Sequence, residues 1–231
     1  TSLKDNDEIH FYYNDEVLRQ AVPQAHLIAD YNDYSVWYKP FGMLSQGSKW
    51  SDHCTITRFS ERYFNNNRAS FIVHRLDKAA TGLIIVAHTK KAAKALSGMF
   101  EAHNFDKYYQ IIVSGDFSQV DYPRTVKSPI DDKESCTIFD FKAFDKALSV
   151  SLLNVKIETG RKHQIRKHAA SINFPVIGDR LHGDQVINQQ KFPAVDLQLC
   201  AVKLEFNCPL TETPRKVELP DNLKPKLSNL S

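Results

Sequence analysis

The run from Gly82 to Ala87, Gly-Leu-Ile-Ile-Val-Ala, constrains this chain more than any other stretch. It is short, almost continuously apolar and rich in β-branched side chains, so it reads as a strand with no wet face. A strand covered on both sides needs further layers, and the flanking sequence offers them. Thr89 can cap a helix in which Ala92, Leu96, Met99 and Phe100 recur at i, i+4, i+7 and i+8, forming one apolar stripe. Asn104–Asp106 ends that helix. Tyr109, Ile111 and Val113 then alternate with Tyr108, Gln110 and Ile112 as far as Gly115, which predicts a strand. Upstream, Phe71–Val73 suits a strand by its β-branched content.

A second block follows the same logic. Val150–Ile157 predicts a strand, and Thr159-Gly160 breaks it. From Lys162 to Ile172 the period turns helical. Ile165, Ala169 and Ile172 share a stripe, while Lys162, Arg166 and Lys167 lie off it. Pro175 and Gly178-Asp179 close the segment as a turn. Asp196–Phe206 holds one further strand or two. At the start, Asp7–Tyr13 alternates weakly and predicts an edge strand. From Lys216 on, Pro220 and Pro225 stand among few apolar residues, so a loosely held tail is expected. The chain thus divides into a leading piece (1–20), a mixed α/β domain (21–215) and a tail (216–231).

At 231 residues the chain suits one large domain, or a domain with a small appendage. Its 42% apolar and 25% charged residues are ordinary for a globular chain, and no apolar run approaches the roughly 20 residues needed to cross a bilayer. The polar, acidic start does not read as a signal peptide, and the missing initiator Met points to a processed chain or a piece of a longer one. Cys54, Cys136, Cys200 and Cys208 form no CxxC pair, so free, buried thiols in a cytoplasmic protein are expected. A net charge of only +3 means that any nucleic-acid surface must concentrate its positive charge locally.

Two stretches carry chemistry. In His74-Arg75-Leu76-Asp77-Lys78 the cations beside Asp77 favour its ionised form, which can act as a nucleophile or base. By themselves these five residues describe a surface ion-pair cluster more readily. Gly160 to His168 is the densest basic stretch. Its helix start and its arginine forks suit phosphate, although a solvated helix face fits the same residues. Lys107 stands before Tyr108 and Tyr109, placing a phosphate contact near a ring that can stack on a flipped base. On a strand, one of the two tyrosines must face the other way.

Other chemistries fare badly. His163 and His168 lie about 140° apart on a helix, with no HExxH and no Cys/His cluster, so no metal is expected. GxGxxG, Walker A and GxSxG patterns are absent, and the His74–Asp77 stretch lacks the glycine-rich loop and DFG of a kinase. No cofactor is expected.

Taken together, these residues resemble the RluA-type pseudouridine synthases. That family's HRLDxxTSG stands here as His74–Gly82, its NKPxG as Tyr38–Gly42, its K-x-Y as Lys107–Tyr109, its GRxHQIRxH as Gly160–His168 and its PIxGD as Pro175–Asp179. The five motifs keep the family's order between about Tyr31 and Pro209. Departures are Tyr38 for the usual Asn, Ala80-Thr81 for Thr-Ser, and Cys200 for a His in a late strand. Leu3–Phe11 is similar to the end of an S4 RNA-binding module.

The resemblance implies an α+β fold with a bent, mostly antiparallel central sheet, flanking helices and an RNA cleft across its middle. It implies isomerisation of uridine to pseudouridine in rRNA or tRNA by a monomer, without redox or group addition. Asp77 would be the nucleophile or its equivalent, and Arg166 would hold it ionised and oriented. Tyr109 would stack on the flipped base and take part in proton removal at C5. Arg75 would fill the space the base leaves. Ile165 and Ile177 would be apolar pocket walls. Lys39, Lys107, Arg161 and His163 would contact RNA or support the cleft.

Two competitors remain. One is an RNA-binding protein on this scaffold with little catalysis, such as an rRNA chaperone. The other is a glycoside or nucleoside hydrolase, which would need a second carboxylate beside Asp77, where the motif offers cations.

Overall fold

The computed structural model describes Glu8, Arg19, residues 21–47 and residues 53–230. The edge strand expected at Asp7–Tyr13 and the segment likened to an S4 module lie outside the described residues.

Within them the chain builds a ten-stranded sheet with the order β1-β2-β4-β9-β5-β8-β7-β6. Its strands are β1 (His26–Asp30), β2 (Tyr34–Lys39), β3 (Phe71–Ile72), β4 (Thr81–Ala87), β5 (Asp106–Ser114), β6 (Arg124–Lys127), β7 (Cys136–Asp145), β8 (Val150–Ile157), β9 (Leu199–Asn207) and β10 (Pro214–Glu218). β3 pairs with β4, and β10 with β9. The helices are α1 (Ile56–Tyr63), α2 (Lys90–Glu101), α3 (Gln164–Ser171) and α4 (Gln185–Lys191). None of the described helices is long and apolar enough to cross a membrane.

Every strand pair is antiparallel except β4 with β9, which meet in parallel at Thr81↔Cys200 and Gly82↔Ala201. This short seam joins two halves of the sheet. Gly82 is required there: at φ 111° its backbone lies so close to β9 that a Cβ would sit 2.3 Å from the Ala201 carbonyl oxygen. The loop that carries Asp77 leads straight into this seam, so the candidate site lies where the halves meet.

β4 is covered on both faces, as its composition predicts. Leu83, Ile85 and Ala87 pack with Ala92 and Leu96 of α2, while Ile84 and Val86 pack with Ile56 of α1. Thr89 caps α2 by accepting from the Ala92 N–H at 3.1 Å. Ile165 and Ala169 of α3 pack with Ile111 and Val113 of β5 in a separate core. Asp196–Phe206 yields the single strand β9.

The stretch from Lys216 departs from the expected loose tail. Lys216–Glu218 continue β10 against β9, Val217 and Leu219 join the core, and Leu230 seals the cluster around Ile112 and Val150. Few apolar residues suffice because each meets a sheet edge or face that would otherwise be open to water.

Candidate active site

The loop between β3 and β4 presents Asp77, and several backbone groups hold it in shape. Ser45 Oγ donates to the Leu76 carbonyl at 2.7 Å and accepts from the Leu76 N–H at 3.0 Å. The Gly42 N–H donates to the Lys78 carbonyl at 3.0 Å. Lys39 lies beneath, fully buried, with Nζ donating to the carbonyls of Met43, Pro40 and Lys78 at 2.9, 3.2 and 3.4 Å. Burial brings its pKa down to about 7, against the pull of the Asp77 charge. Lys39 therefore holds the loops under the cleft together and is absent from the cleft lining.

The neighbouring His74 is structural too. Its Nε2 accepts from the Ile85 N–H at 2.9 Å and its ring stacks on Phe100. Burial, aided by the Lys107 charge, depresses its pKa to about 3, which keeps it a neutral acceptor.

α3 supplies the counter-charge. Gln164 is buried and fixes the approach to the helix: its Oε1 accepts from Thr159 Oγ1 and the Arg161 N–H, and its Nε2 donates to the Cys136 carbonyl and Thr137 Oγ1. Two residues on, Arg166 Nη1 donates to Asp77 Oδ2 at 3.1 Å. Its stronger attachment is to Asp179: Nε to Oδ2 at 2.7 Å and Nη2 to Oδ1 at 2.6 Å, a two-pronged fork. Burial opposes the Arg166 charge, but Asp179 and then Asp77 outweigh it and raise the guanidinium pKa. Burial likewise opposes ionisation of Asp179, yet Arg166 and the backbone N–H groups of His182 and Leu181 hold its carboxyl below the ordinary value.

Asp179 sits in the turn after Gly178, whose φ of 76° and close approach to the Asp196 carbonyl leave no room for a Cβ. The turn was legible in the sequence; the identity of its Asp as the main partner of Arg166 was not.

Above these groups opens a cleft of about 700 Å³, with Arg75, Lys78, Arg161, Lys162 and Arg180 along its lining. An adjoining recess of about 100 Å³ shares Arg75, Leu76, Asp77, Arg161, His163 and Arg166 with it and adds Ala80, Tyr109, Ile165 and Leu199. Burial and the Asp77 charge both push the Tyr109 hydroxyl above its usual pKa, so it stays protonated. His163 Nε2 lies 3.8 Å from Asp77 Oδ2, and its Nδ1 meets His182 Nε2 at 2.9 Å. Arg161 Nε donates to the Glu134 carbonyl at 3.1 Å.

Two expected site residues lie elsewhere. Ile177 packs with Ile112, Val150 and Phe192 on the far side of β5 and lines neither part of the cleft. Lys107 is buried, where burial depresses its pKa, and it lines neither part of the cleft. The residues missed by sequence reasoning are Ser45, His182 and the pairing role of Asp179. Only Asp179 had a signal, its place in the Pro175–Asp179 motif. All four cysteines are free and buried.

A cleft with a cationic lining, an ionic floor and an apolar recess suits a charged polymer whose one everted apolar ring enters the protein. Comparison with known proteins agrees. Residues 33–171 match the family described as RNA pseudouridylate synthase. The tRNA pseudouridine synthase C of Pectobacterium carotovorum subsp. carotovorum is 32% identical over 169 residues, which cover 62% of this chain and 45% of that protein. This chain therefore spans less than half the length of that relative. The tRNA pseudouridine synthase C of Vibrio cholerae is 30% identical over 203 residues, covering 76% of this chain and 82% of its own. In fold, the solved structure of human RNA pseudouridylate synthase domain containing 1 superposes with a TM-score of 0.75 at 20% identity, covering 92% of this chain and 88% of that one. The sheet with its seam, the paired Asp and Arg at the cleft floor and the match over most of the described domain lead to one conclusion: this chain belongs to the RNA pseudouridylate synthase family, in its RluA-type branch.

Proposed function

We propose that this protein isomerises uridine to pseudouridine in a structured RNA, a tRNA or an rRNA, with Asp77 as the catalytic carboxylate. The observation that carries the reading is the pairing of Asp77 with Arg166 at 3.1 Å, where the cationic cleft meets the apolar recess. The reaction breaks the N1–C1′ bond, turns the uracil and rejoins it through C5. N1 gains a proton and C5 loses one, so no redox partner or added group is needed. An ionised carboxylate under the sugar serves attack at C1′ and the route through a glycal alike. Asp77 Oδ2 is taken by Arg166, and Oδ1 accepts no hydrogen bond from the described residues.

Tyr109 lines the recess as the stacking ring, and Ile165 and Leu199 are its apolar walls. Arg75, exposed at the cleft, takes the space of the everted nucleotide. Arg161 and Lys162 bind the RNA backbone. The enzyme acts as a monomer in the cytoplasm: one chain supplies every site group, and its free buried thiols suit a reducing compartment.

The hydrolase reading needs a second carboxyl held protonated near neutral pH. The nearest candidate, Asp179, is shifted in the opposite direction, and Arg166 occupies both of its oxygens. Release of tritium from RNA carrying 5-tritiated uridine tests the proposal. Wild-type protein should release it from tRNA or rRNA, and Asp77→Asn should not. Release of free uracil, or no release from any total RNA, would overturn it.

A further inference from the structure

A ring of contacts closes around the cleft floor. Asp77 Oδ2 takes Arg166 Nη1 at 3.1 Å, and Arg166 Nη2 donates to Asp179 Oδ1 at 2.6 Å. The same Oδ1 accepts from the His182 backbone N–H at 3.0 Å. The His182 ring meets His163, Nε2 to Nδ1, at 2.9 Å, and His163 Nε2 faces Asp77 Oδ2 at 3.8 Å. His163 stands at the N-cap of α3 in a left-handed conformation, with φ 56°, and its side chain makes no capping bond. The ring is turned to His182 and Asp77 instead.

Most links in this circuit have fixed donors and acceptors. The imidazole pair does not. A nitrogen–nitrogen contact of 2.9 Å is a hydrogen bond only when one ring carries the proton and the other offers a lone pair. With His182 Nε2 donating to His163 Nδ1, the His163 proton sits on Nε2, toward the cleft. With His163 Nδ1 donating, Nε2 is bare and His182 carries its proton on Nδ1. The two arrangements differ by one proton moved between cleft and solvent, with no change in charge on the pair.

We propose that His163 and His182 form a proton relay between the cleft at Asp77 and the solvent, with His182 a positioning residue that acts through His163. The inference rests on the isomerase reading, whose proton needs it matches. The His163 Nε2 proton goes to N1 as the glycosidic bond breaks; the bond to that proton then forms on N1, and His163 Nδ1 takes the proton of His182 Nε2. His182, having given up its Nε2 proton, takes a new one from water on Nδ1 and so stays neutral. When C5 has joined C1′, the Tyr109 hydroxyl, which lines the same recess as His163, takes the C5 proton as it gives its own to His163 Nε2; the Nδ1 proton then returns to His182 Nε2, and His182 gives its Nδ1 proton back to water. The pair ends each turnover as it began.

The surrounding charges suit a relay that is neutral at rest. His163 faces Asp77 from the β3–β4 loop, Arg166 and Lys162 from its own helix region, and His182 from the turn. His182 faces Asp179 in its own turn, Arg166 and Lys167 from α3, and Asp77. Burial lowers both pKa values, the cations add to that, and the carboxylates oppose it. On the outer side, His182 adjoins the exposed Arg180 and Leu181.

Single-turnover tritium release, followed from about pH 5.5 to about pH 9 for wild type, His182→Gln and His182→Ala, tests this. Gln keeps a hydrogen-bonding group beside His163 but cannot pass a proton on. Both variants should bind RNA as wild type does and release tritium about tenfold more slowly at neutral pH. Added imidazole should restore much of the rate of His182→Ala and none of that of His182→Gln. Wild-type rates in both variants, or a loss that neither pH nor imidazole moves, would overturn the relay. Nitrogen-15 NMR of the ligand-free histidine rings gives a readout without activity. His182→Gln should shift the titration of His163, and an unmoved titration would count against the pair. If the wild type releases no tritium, the isomerase reading fails, and the NMR result still decides whether the two rings share a proton.

Discussion

The two carboxylates that share Arg166 live in different regions and behave differently. Asp179, in the turn after β8 and α3, has a side chain 0% exposed and grips the guanidinium through both oxygens at 2.6 and 2.7 Å. Asp77, on the loop before β4, is 29% exposed and takes a single hydrogen bond from the guanidinium, at 3.1 Å. The closed side fixes where the cation stands, and the open side presents a carboxylate that keeps one oxygen free of described protein partners. A site that must hold a charge steady and still offer it to a substrate benefits from this division: a buried ion pair supports an exposed one.

Substitutions on the two sides should separate these roles. The largest effect belongs to the open side. Asp77→Asn should lower tritium release by roughly a thousandfold or more while leaving the melting temperature and RNA affinity near wild type. A large fall in melting temperature would show that Asp77 also holds the fold, and the contrast would break. On the closed side, Asp179→Asn leaves a buried guanidinium half-paired and should cost about 3–5 kcal/mol, or roughly 6–20 °C in melting temperature. The Asp179 carboxyl lies below its ordinary 3.8, so its contribution is complete above that pH and lost as pH falls through the lowered value. Thermal melts at falling pH should therefore bring wild type and Asp179→Asn together in acid.

Smaller effects sharpen the picture of the cleft between the two regions. Tyr109→Phe keeps the ring and removes a hydroxyl held protonated by burial and Asp77. RNA affinity should stay and single-turnover release should fall about a hundredfold. Arg161→Glu should weaken RNA binding about tenfold and reduce the slope of log affinity against log salt by roughly one. Unchanged affinity would remove Arg161 from the RNA-facing surface.

Much of this molecule is legible along the chain, for physical reasons that also set the limit. β4 and β8 are readable because an apolar run between turn signals has few alternatives. α2 is readable because its stripe and Thr89 agree. Tyr108 and Tyr109 were separable as two faces of β5, and they are: Tyr109 lines the recess, while Tyr108 lies under Lys203, 3.7 Å from the ring centre. The fates of Lys39 and Lys107 were not readable. A lysine in a motif looks the same whether its ammonium meets RNA or three backbone carbonyls, and one of those carbonyls lies 39 residues on. The order of the tail was missed because a short apolar segment is held by the surface that receives it, and composition does not describe that surface.

The sequence by itself determined β4, β5, β8, β9, α2 and α3, through the period and β-branched content of their apolar residues. By resemblance it also marked Asp77, Tyr109 and Arg166 as the chemical centre. Only the tertiary structure decided which carboxylate anchors Arg166, which cations reach the cleft, and that His163 and His182 face each other. Periodicity reports the apolar side of an element but not what stands opposite it. The charge of a buried group depends on partners such as Asp77 and Arg166, which are 89 residues apart in the chain and 3.1 Å apart in the fold.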